Sequence, residues 1–368
     1  MNASKIRRVW EGEGFFAHLL WPVLLPFSFL YSLGVRLRNL LYTLHLLPGR
    51  RLPCAIIGIG NLTVGGTGKT PTTVWLAQEL GRRGYRVAIL SRGYKRHGKK
   101  PMILEPGLNP STPLAQAEDP WEAGDEPIMM ARVFGHRVGV GKKRYEVGCQ
   151  LLSQAAADVL LLDDGFQHRR LKRDLDILLL GSDWNGWLLP AGPFREPRSA
   201  LSRADLFLVT GAREKWERWL TRYKKQSAFF SGSLKPKDLL TLEGDQWREL
   251  PLTLLSRSKV LAVCGTANPA SFYRMIHDWG GEITDVVESP DHHAYSTKDW
   301  QTINRAARNV DFIVTTVKDI VKLTRFPFAR EKLLALRVEM VVENGDSLVR
   351  AVEGVIRGRM GQSQGIKG

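Results

Sequence analysis

Gly68, Lys69 and Thr70 close the turn Gly60-Asn61-Leu62-Thr63-Val64-Gly65-Gly66-Thr67-Gly68-Lys69-Thr70-Pro71, which follows the apolar run Cys54–Ile59. Successive backbone N–H groups in such a loop form a concave nest for phosphate oxygens, and the following helix adds its positive dipole end. Residues Thr63 to Thr70 would line a triphosphate. Lys69 would reach the β- and γ-phosphates, and the Thr70 hydroxyl would take one position on Mg²⁺. The general pattern asks for glycine five positions before Gly68, where this chain has Thr63. A second segment supplies the other half of such a site. Val159-Leu160-Leu161-Leu162 is fully apolar, as a buried parallel strand should be, and ends in Asp163-Asp164. Acids at the end of that strand hold the Mg²⁺ shell opposite the loop.

Further acids and histidines fall where α/β folds place ligands, in loops after strands. They are Asp125-Glu126, His168 and Asp291-His292-His293. Phosphoryl transfer to a hydroxyl needs a proton acceptor, Mg²⁺ ligands and cationic clamps. The chain holds all three kinds of residue.

The elements that position these groups are legible as alternating strands and helices. Pro71 to Arg83 reads as the helix after the loop, Tyr85–Leu90 as a strand, and Pro101 to Pro120 as a proline-rich loop before a helix beginning at Ile128. Val138–Val140, Val159–Leu162, Ile177–Leu180 and Leu206–Val209 read as strands, with a helix over Arg144–Ala156. This predicts a P-loop NTPase-type three-layer α/β fold with a mostly parallel sheet over residues 51–210. A linker or hairpin is expected over 211–258, and a second, smaller α/β lobe over 259–368 whose last helix packs back on the first lobe. Its expected elements are Val260–Cys264, Pro269–Trp279, Glu282–Val287, Asp299–Ala307, Phe312–Thr316, Leu336–Val342 and Asp346–Arg357.

Residues 1–50 are a different kind of segment. Phe15 to Leu33 is almost unbroken apolar sequence, with Lys5, Arg7 and Arg8 before it and Arg36 and Arg38 after it. About 20 apolar residues span a bilayer, but Pro22, Pro26 and His18 disfavour a regular spanning helix. Trp10, Trp21 and Tyr31 suit the headgroup region. A membrane-anchoring segment is expected at the inner-membrane surface, its arginines on lipid phosphates. The net charge of +16 over 368 residues calls for an anionic partner. No basic tract with interleaved aromatics and no nucleic-acid module is present, so no nucleic-acid partner is expected. Cys54, Cys149 and Cys264 are isolated in sequence, as in a reducing compartment.

The motifs together resemble the tetraacyldisaccharide 4'-kinase family, the membrane-associated P-loop kinases of lipid A biosynthesis, over essentially the whole chain. The matching pieces are Gly60–Pro71, Ser91–Tyr94 (SRGY), Gly124–Pro127 (GDEP), Asp163–His168 (DDGFQH), Asn185–Glu196 (NGWLLPAGPFRE), Asp291-His292 and Thr316–Lys322 (TVKDIVK). That family carries threonine where Thr63 stands. The resemblance implies transfer of the ATP γ-phosphate to the 4'-hydroxyl of a tetraacylated glucosamine disaccharide 1-phosphate, at the cytoplasmic face of the inner membrane. It implies that Asp125 and His292 pair as the base for the hydroxyl proton, and that Glu126, Asp163 and Asp164 serve Mg²⁺. Arg144, Arg195, His168, Asn185 and Lys318 would clamp substrate or phosphate. With Asp125 on the first lobe and His292 on the second, the pair is expected to form only on closure of a cleft. Val317 stands where the family often has glutamate.

A membrane-associated ATPase switch of the partitioning type is the alternative from another class. Its loop carries a lysine just before the glycine pair, where this chain has Val64. Guanine recognition needs Asn-Lys-x-Asp, which Thr316-Val317-Lys318-Asp319 does not supply. A protein that only binds lipid surfaces would have no use for Lys69, Thr70 and Asp163 together.

Overall fold

The computed structural model describes residues 9–10, 15–107, 120–183, 186–223, 228–244, 246–266, 268–328 and 332–364. The chain divides into two compact units, one formed by Met1–Ser91, Lys143–Ser233 and Met340–Gly368, the other by Arg92–Lys142 and Leu234–Glu339. The sequence reading had grouped 51–210 together. The structure instead assigns the stretch from Arg92 to Lys142, with Asp125 and Glu126, to the second unit.

In the first unit Ala55–Asn61 lies between Val159–Leu162 and Leu175–Leu180, parallel to both. Val87–Ser91 extends the sheet beyond Val159–Leu162, and Leu206–Val209 extends it beyond Leu175–Leu180, again in parallel. Every residue of the three central strands is buried, which is why they read as unbroken apolar runs rather than as alternating ones. Helix Lys69–Arg82 buries Val74, Leu76, Ala77 and Leu80. The last helix, Gly345–Gln364, buries Leu348, Val349, Val352 and Ile356. It is tied to the same unit by Arg83, which bonds Asp346 at 2.6 Å and Glu353 at 2.8 Å.

A 29-residue helix, Phe15–Thr43, also belongs to this unit and contains Pro22 and Pro26. One stripe of it is docked. Ser28 donates to the Leu188 carbonyl, Tyr31 to the Arg195 carbonyl, and Asn39 to the Glu196 carboxylate, while Val35 is buried. These positions recur at helical spacing, so one face sits on the protein. Leu19, Val23, Phe27, Leu30, Leu33 and Leu37 are all more than half exposed on the rest of the helix. By length and composition Leu19–Thr43 is apolar enough to cross a membrane, with a mean hydropathy of 1.4 and only 11% buried.

In the second unit Lys259–Cys264 lies between Glu282–Glu288 and Phe312–Thr316, and Leu333–Leu336 continues beside Phe312–Thr316, all parallel. The glycine- and lysine-rich stretch is a hairpin, in which Leu239–Glu243 pairs antiparallel with Gln246–Leu250. Helix Pro269–Asp278 starts on an Asn268 cap with proline in its first turn. Thr297–Ala306 starts on a Ser296–Asp299 capping box. Elements not anticipated include the strand Met102–Leu104, antiparallel to Arg137–Val140, and the helix Val317–Leu323. The expected helix at Ile128 instead begins at Asp125 and passes into a π-helical turn over Met129–Val133. Such turns recur at functional sites, because the extra residue redirects side chains.

Candidate active site

The first unit contains the phosphate loop. It leaves the buried strand at Asn61, whose side-chain amide donates to Thr67 Oγ1 at 3.0 Å. A short bridge between Thr63 and Phe194 and a bond from the Val64 amide to the Pro193 carbonyl (2.8 Å) pin the start of the loop against the Asn185–Glu196 motif. Thr63 is 4% exposed, which explains a small polar side chain where the general pattern has glycine. Gly68 caps the helix with φ of 86°, in the left-handed region that glycine enters without strain. A side chain at Gly60 would come within 2.6 Å of Phe166 Cβ, so that glycine lets the Asp163–His168 loop pass over the strand.

Lys69 Nζ reaches Asp164 Oδ1 at 3.7 Å and the Gly65 carbonyl at 3.4 Å. Asp164 sits at φ of 49° and accepts both 3.0 Å and 2.9 Å bonds from Arg195. Burial works to raise the Asp164 pKa, but Lys69 and Arg195 outweigh it and hold the carboxyl below the usual range. Asp163 is almost wholly buried and accepts from Thr73 at 3.1 Å. Arg144, 4% exposed, lies under the same loop, with its guanidinium 3.3 Å from the Asp163 carbonyl. Thus Arg144 and Arg195 do gather at the acids, Arg195 with Asp164 as its partner. His168 is a neutral imidazole at neutral pH, so a clamp from it is a hydrogen bond and not a charge. Burial and the charges of Arg144, Arg173, Arg170 and Arg38 push its pKa down to about 3. Asn185 lies outside the described residues.

The donors present suit Mg²⁺ of the kind that keeps water ligands and arrives with a nucleotide. They are oxygen atoms, the buried Thr70 hydroxyl and the Asp163 carboxylate, and no group of three or more acids, histidines or cysteines arranged for a metal occurs among the described residues. Glu126, the third expected Mg²⁺ acid, is in the other unit.

Asp125 and His292 are together in the second unit, with no cleft closure needed to pair them. This corrects the expectation from sequence, which had placed them on separate lobes. His292 Nδ1 is 3.3 Å from Asp125 Oδ2 and His292 Nε2 is 3.7 Å from Asp291 Oδ2. Both side chains are buried, and His292 holds a left-handed φ of 63° that turns its ring inward. They line a pocket of about 40 Å³ with Tyr94, Trp121, Tyr295 and Arg325. Tyr94 meets His292 edge-on with ring centres 5.3 Å apart. Lys318 forms an ion pair with Asp291, so it braces the histidine loop and belongs to this unit rather than to the arginines of the first.

Lys322 was not singled out from the sequence, yet its Nζ lies 3.1 Å from Asp125 Oδ2 and 2.8 Å from Asp319 Oδ1. Burial works to raise the Asp125 pKa, and contacts with His292 and Lys322 outweigh it, so the carboxyl stays below the usual range. Its signal was present in Thr316–Lys322. Lys318, Asp319 and Lys322 recur at three and four residues, one face of a helix.

Comparison with known proteins agrees with these motifs. The model of the tetraacyldisaccharide-1-P 4'-kinase family matches residues 20–357. A tetraacyldisaccharide 4'-kinase of Syntrophus aciditrophicus is 40% identical, over 92% of this chain and 95% of its own length. The Aquifex aeolicus protein of the same name is 34% identical, over 91% and 98%. A crystal structure of the "apo" form of LpxK from Aquifex aeolicus in complex with ATP is similar with a TM-score of 0.75 and 32% identity, covering 92% of this chain and 99% of that one. The chain belongs to the tetraacyldisaccharide-1-P 4'-kinase family.

Proposed function

We propose that the protein transfers the γ-phosphate of ATP to the 4'-hydroxyl of a tetraacylated glucosamine disaccharide 1-phosphate, giving the 4'-phosphorylated lipid A precursor. The observation that carries this reading is the Asp125–His292 pair. A P-loop switch needs a positioned water and no buried acid–histidine pair, whereas transfer to a sugar hydroxyl needs a group to take its proton. The phosphate loop, with Lys69 and the Arg195–Asp164 pair, supplies charge where the transferring group develops it. Thr70 and Asp163 would hold Mg²⁺, which neutralises phosphate charge when bound. In a loose transition state the hydroxyl proton leaves late, so a carboxylate held below the ordinary range is basic enough when correctly placed.

The exposed apolar face of Phe15–Thr43 supports residence at the cytoplasmic face of the inner membrane, where an acylated substrate resides. The docked stripe from Ser28 to Asn39 favours a helix lying along the bilayer surface over an independent span. The test is incubation of purified protein with labelled ATP, Mg²⁺ and disaccharide 1-phosphate, followed by location of the new phosphate. Label at the 4'-position is expected. ATP hydrolysis at full rate without the sugar, and no labelled lipid, would move the protein to the partitioning ATPases.

A further inference from the structure

We propose that Lys322 is a positioning residue for phosphoryl transfer: it fixes Oδ2 of Asp125 so that Oδ1 is the oxygen that receives the acceptor proton. This rests on the reading of Asp125 as the base.

Three acceptors surround the Lys322 ammonium group. Nζ donates to Asp125 Oδ2 at 3.1 Å and to the His293 carbonyl at 3.1 Å, and it is ion-paired with Asp319 Oδ1 at 2.8 Å. An ammonium group has three protons, and here each has an oxygen within reach. The side chain is 6% exposed, and the Tyr295 ring lies 5.3 Å from Nζ. Two of its donors are hydrogen-bonded and its charge is neutralised by Asp319, so a lysine so enclosed acts through its partners. Asp319 is itself immobile. It is fully buried, its Oδ2 accepts from the Gly265 amide at 2.9 Å and from the Thr316 hydroxyl at 2.7 Å, and its own amide donates back to Thr316 at 3.1 Å. The helix Val317–Leu323 therefore presents a lysine whose position is set from behind by a locked carboxylate.

The consequence falls on one atom. Both neighbours of the Asp125 carboxylate, Lys322 Nζ and His292 Nδ1, contact Oδ2. Oδ1 accepts no hydrogen bond among the described residues. In the transfer, the acceptor oxygen bonds to the γ-phosphorus, the bond from that phosphorus to the bridging oxygen breaks, and ADP leaves with the electron pair. The hydroxyl proton goes to Asp125 Oδ1, with Lys322 and His292 holding the other oxygen in place. Without Lys322 the carboxylate would lose the hydrogen bond that holds Oδ2 and could rotate out of line, and a small misplacement of a reacting group is costly.

The test compares Lys322→Met, Lys322→Arg, Asp125→Asn and the double variant Asp125→Asn/Lys322→Met, each shown to be folded by its melting temperature and its ATP affinity. Lys322→Met is expected to lower kcat about 100-fold, the scale of one proton-transfer contribution, with KM for ATP and for the disaccharide little changed. Lys322→Arg should recover most of that loss. In the Asp125→Asn background, Lys322→Met should cost less than about threefold, because both changes remove the same step. A purely structural lysine would instead alter stability and KM, and its loss would multiply with that of Asp125→Asn. Should Lys322→Met strand the buried Asp319 charge and fail to fold, Asp319→Asn/Lys322→Met removes both charges and is read in the same way. Wild-type kcat in a folded Lys322 variant, with Asp125→Asn inactive, overturns the proposal and leaves the base reading intact. An Asp125→Asn enzyme with normal turnover overturns the base reading itself.

Discussion

Asp125 and His292 share one carboxylate oxygen contact at 3.3 Å, and groups that act in one proton transfer are non-additive when removed. Asp125→Ala and His292→Ala are each expected to lower kcat by about 100-fold or more, and the double variant to be little worse than the poorer single one. Fully multiplicative losses, measured on folded protein, would mean two independent roles. A different residue makes a stability prediction. His136 is half-buried, its Nε2 is sealed from solvent without a hydrogen-bond partner, and burial pushes its pKa from 6.5 down to about 4. The folded protein thus keeps His136 neutral while the unfolded chain takes up a proton below about pH 6.5. Stability from this group is complete above pH 6.5 and falls as pH drops towards 4. Melting temperatures between pH 7.5 and 5 should fall less steeply in His136→Leu than in the wild type, and parallel curves would sink the assignment. At this scale the sequence was informative about proximity, since Lys69 of the loop motif and Asp164 of the strand-end motif lie 3.7 Å apart. It placed Lys322 on a helical face with Lys318 and Asp319 but not in the site, because a lysine in a helix reads as solvated surface until the fold buries it. It could not show that His168 is neutral, because that follows from burial first and from the surrounding arginines second.

At the level of elements, the buried parallel strands were legible because burial on both faces leaves only apolar residues, as in Val159–Leu162. Helix Val317–Leu323 was not, since its apolar positions Val317, Ile320 and Val321 span only about two turns, too short a run to mark a helix by its period. Nor was the membership of Arg92–Lys142, because connectivity puts that stretch between strands of the first unit while tertiary contacts assign it to the second. The helix Phe15–Thr43 shows both limits. Its apolar run announced a membrane segment, but only the fold separates the docked stripe of Ser28, Tyr31, Val35 and Asn39 from the exposed one. Deleting it would remove the hydrogen bonds that it makes to Leu188, Arg195 and Glu196, so substitution on the exposed face is the cleaner experiment. Leu30→Ser, Leu33→Ser and Leu37→Ser combined should weaken vesicle binding by several kcal/mol, from about 1.5 kcal/mol or more per buried leucine. Melting temperature and ATP affinity should stay close to wild type. Unchanged sedimentation with vesicles would place membrane binding elsewhere.

Taken as a whole molecule, the chemistry is divided by unit: the phosphate loop, Asp163, Asp164, Arg144 and Arg195 belong to one, and Asp125, His292, Lys318 and Lys322 to the other. Two classes of defect should follow. In the first unit Lys69 is the loop's cation, paired only at 3.7 Å with Asp164, so a triphosphate can recruit it with a charge-assisted bond of about 1.5–3 kcal/mol. Lys69→Ala is therefore expected to weaken ATP binding roughly tenfold to 100-fold and to reduce transfer further, because the same charge stabilises the moving phosphoryl group. In the second unit Asp125 is proposed to take the acceptor proton and not to hold the nucleotide, so in Asp125→Asn ATP should bind with nearly unchanged affinity while transfer to the sugar collapses. Calorimetric titration of ATP into each variant, beside a transfer assay, reads the two effects separately. If Asp125→Asn weakened ATP binding as much as Lys69→Ala, proton removal and nucleotide binding would not be separable functions, and the division of labour between the units would have to be given up.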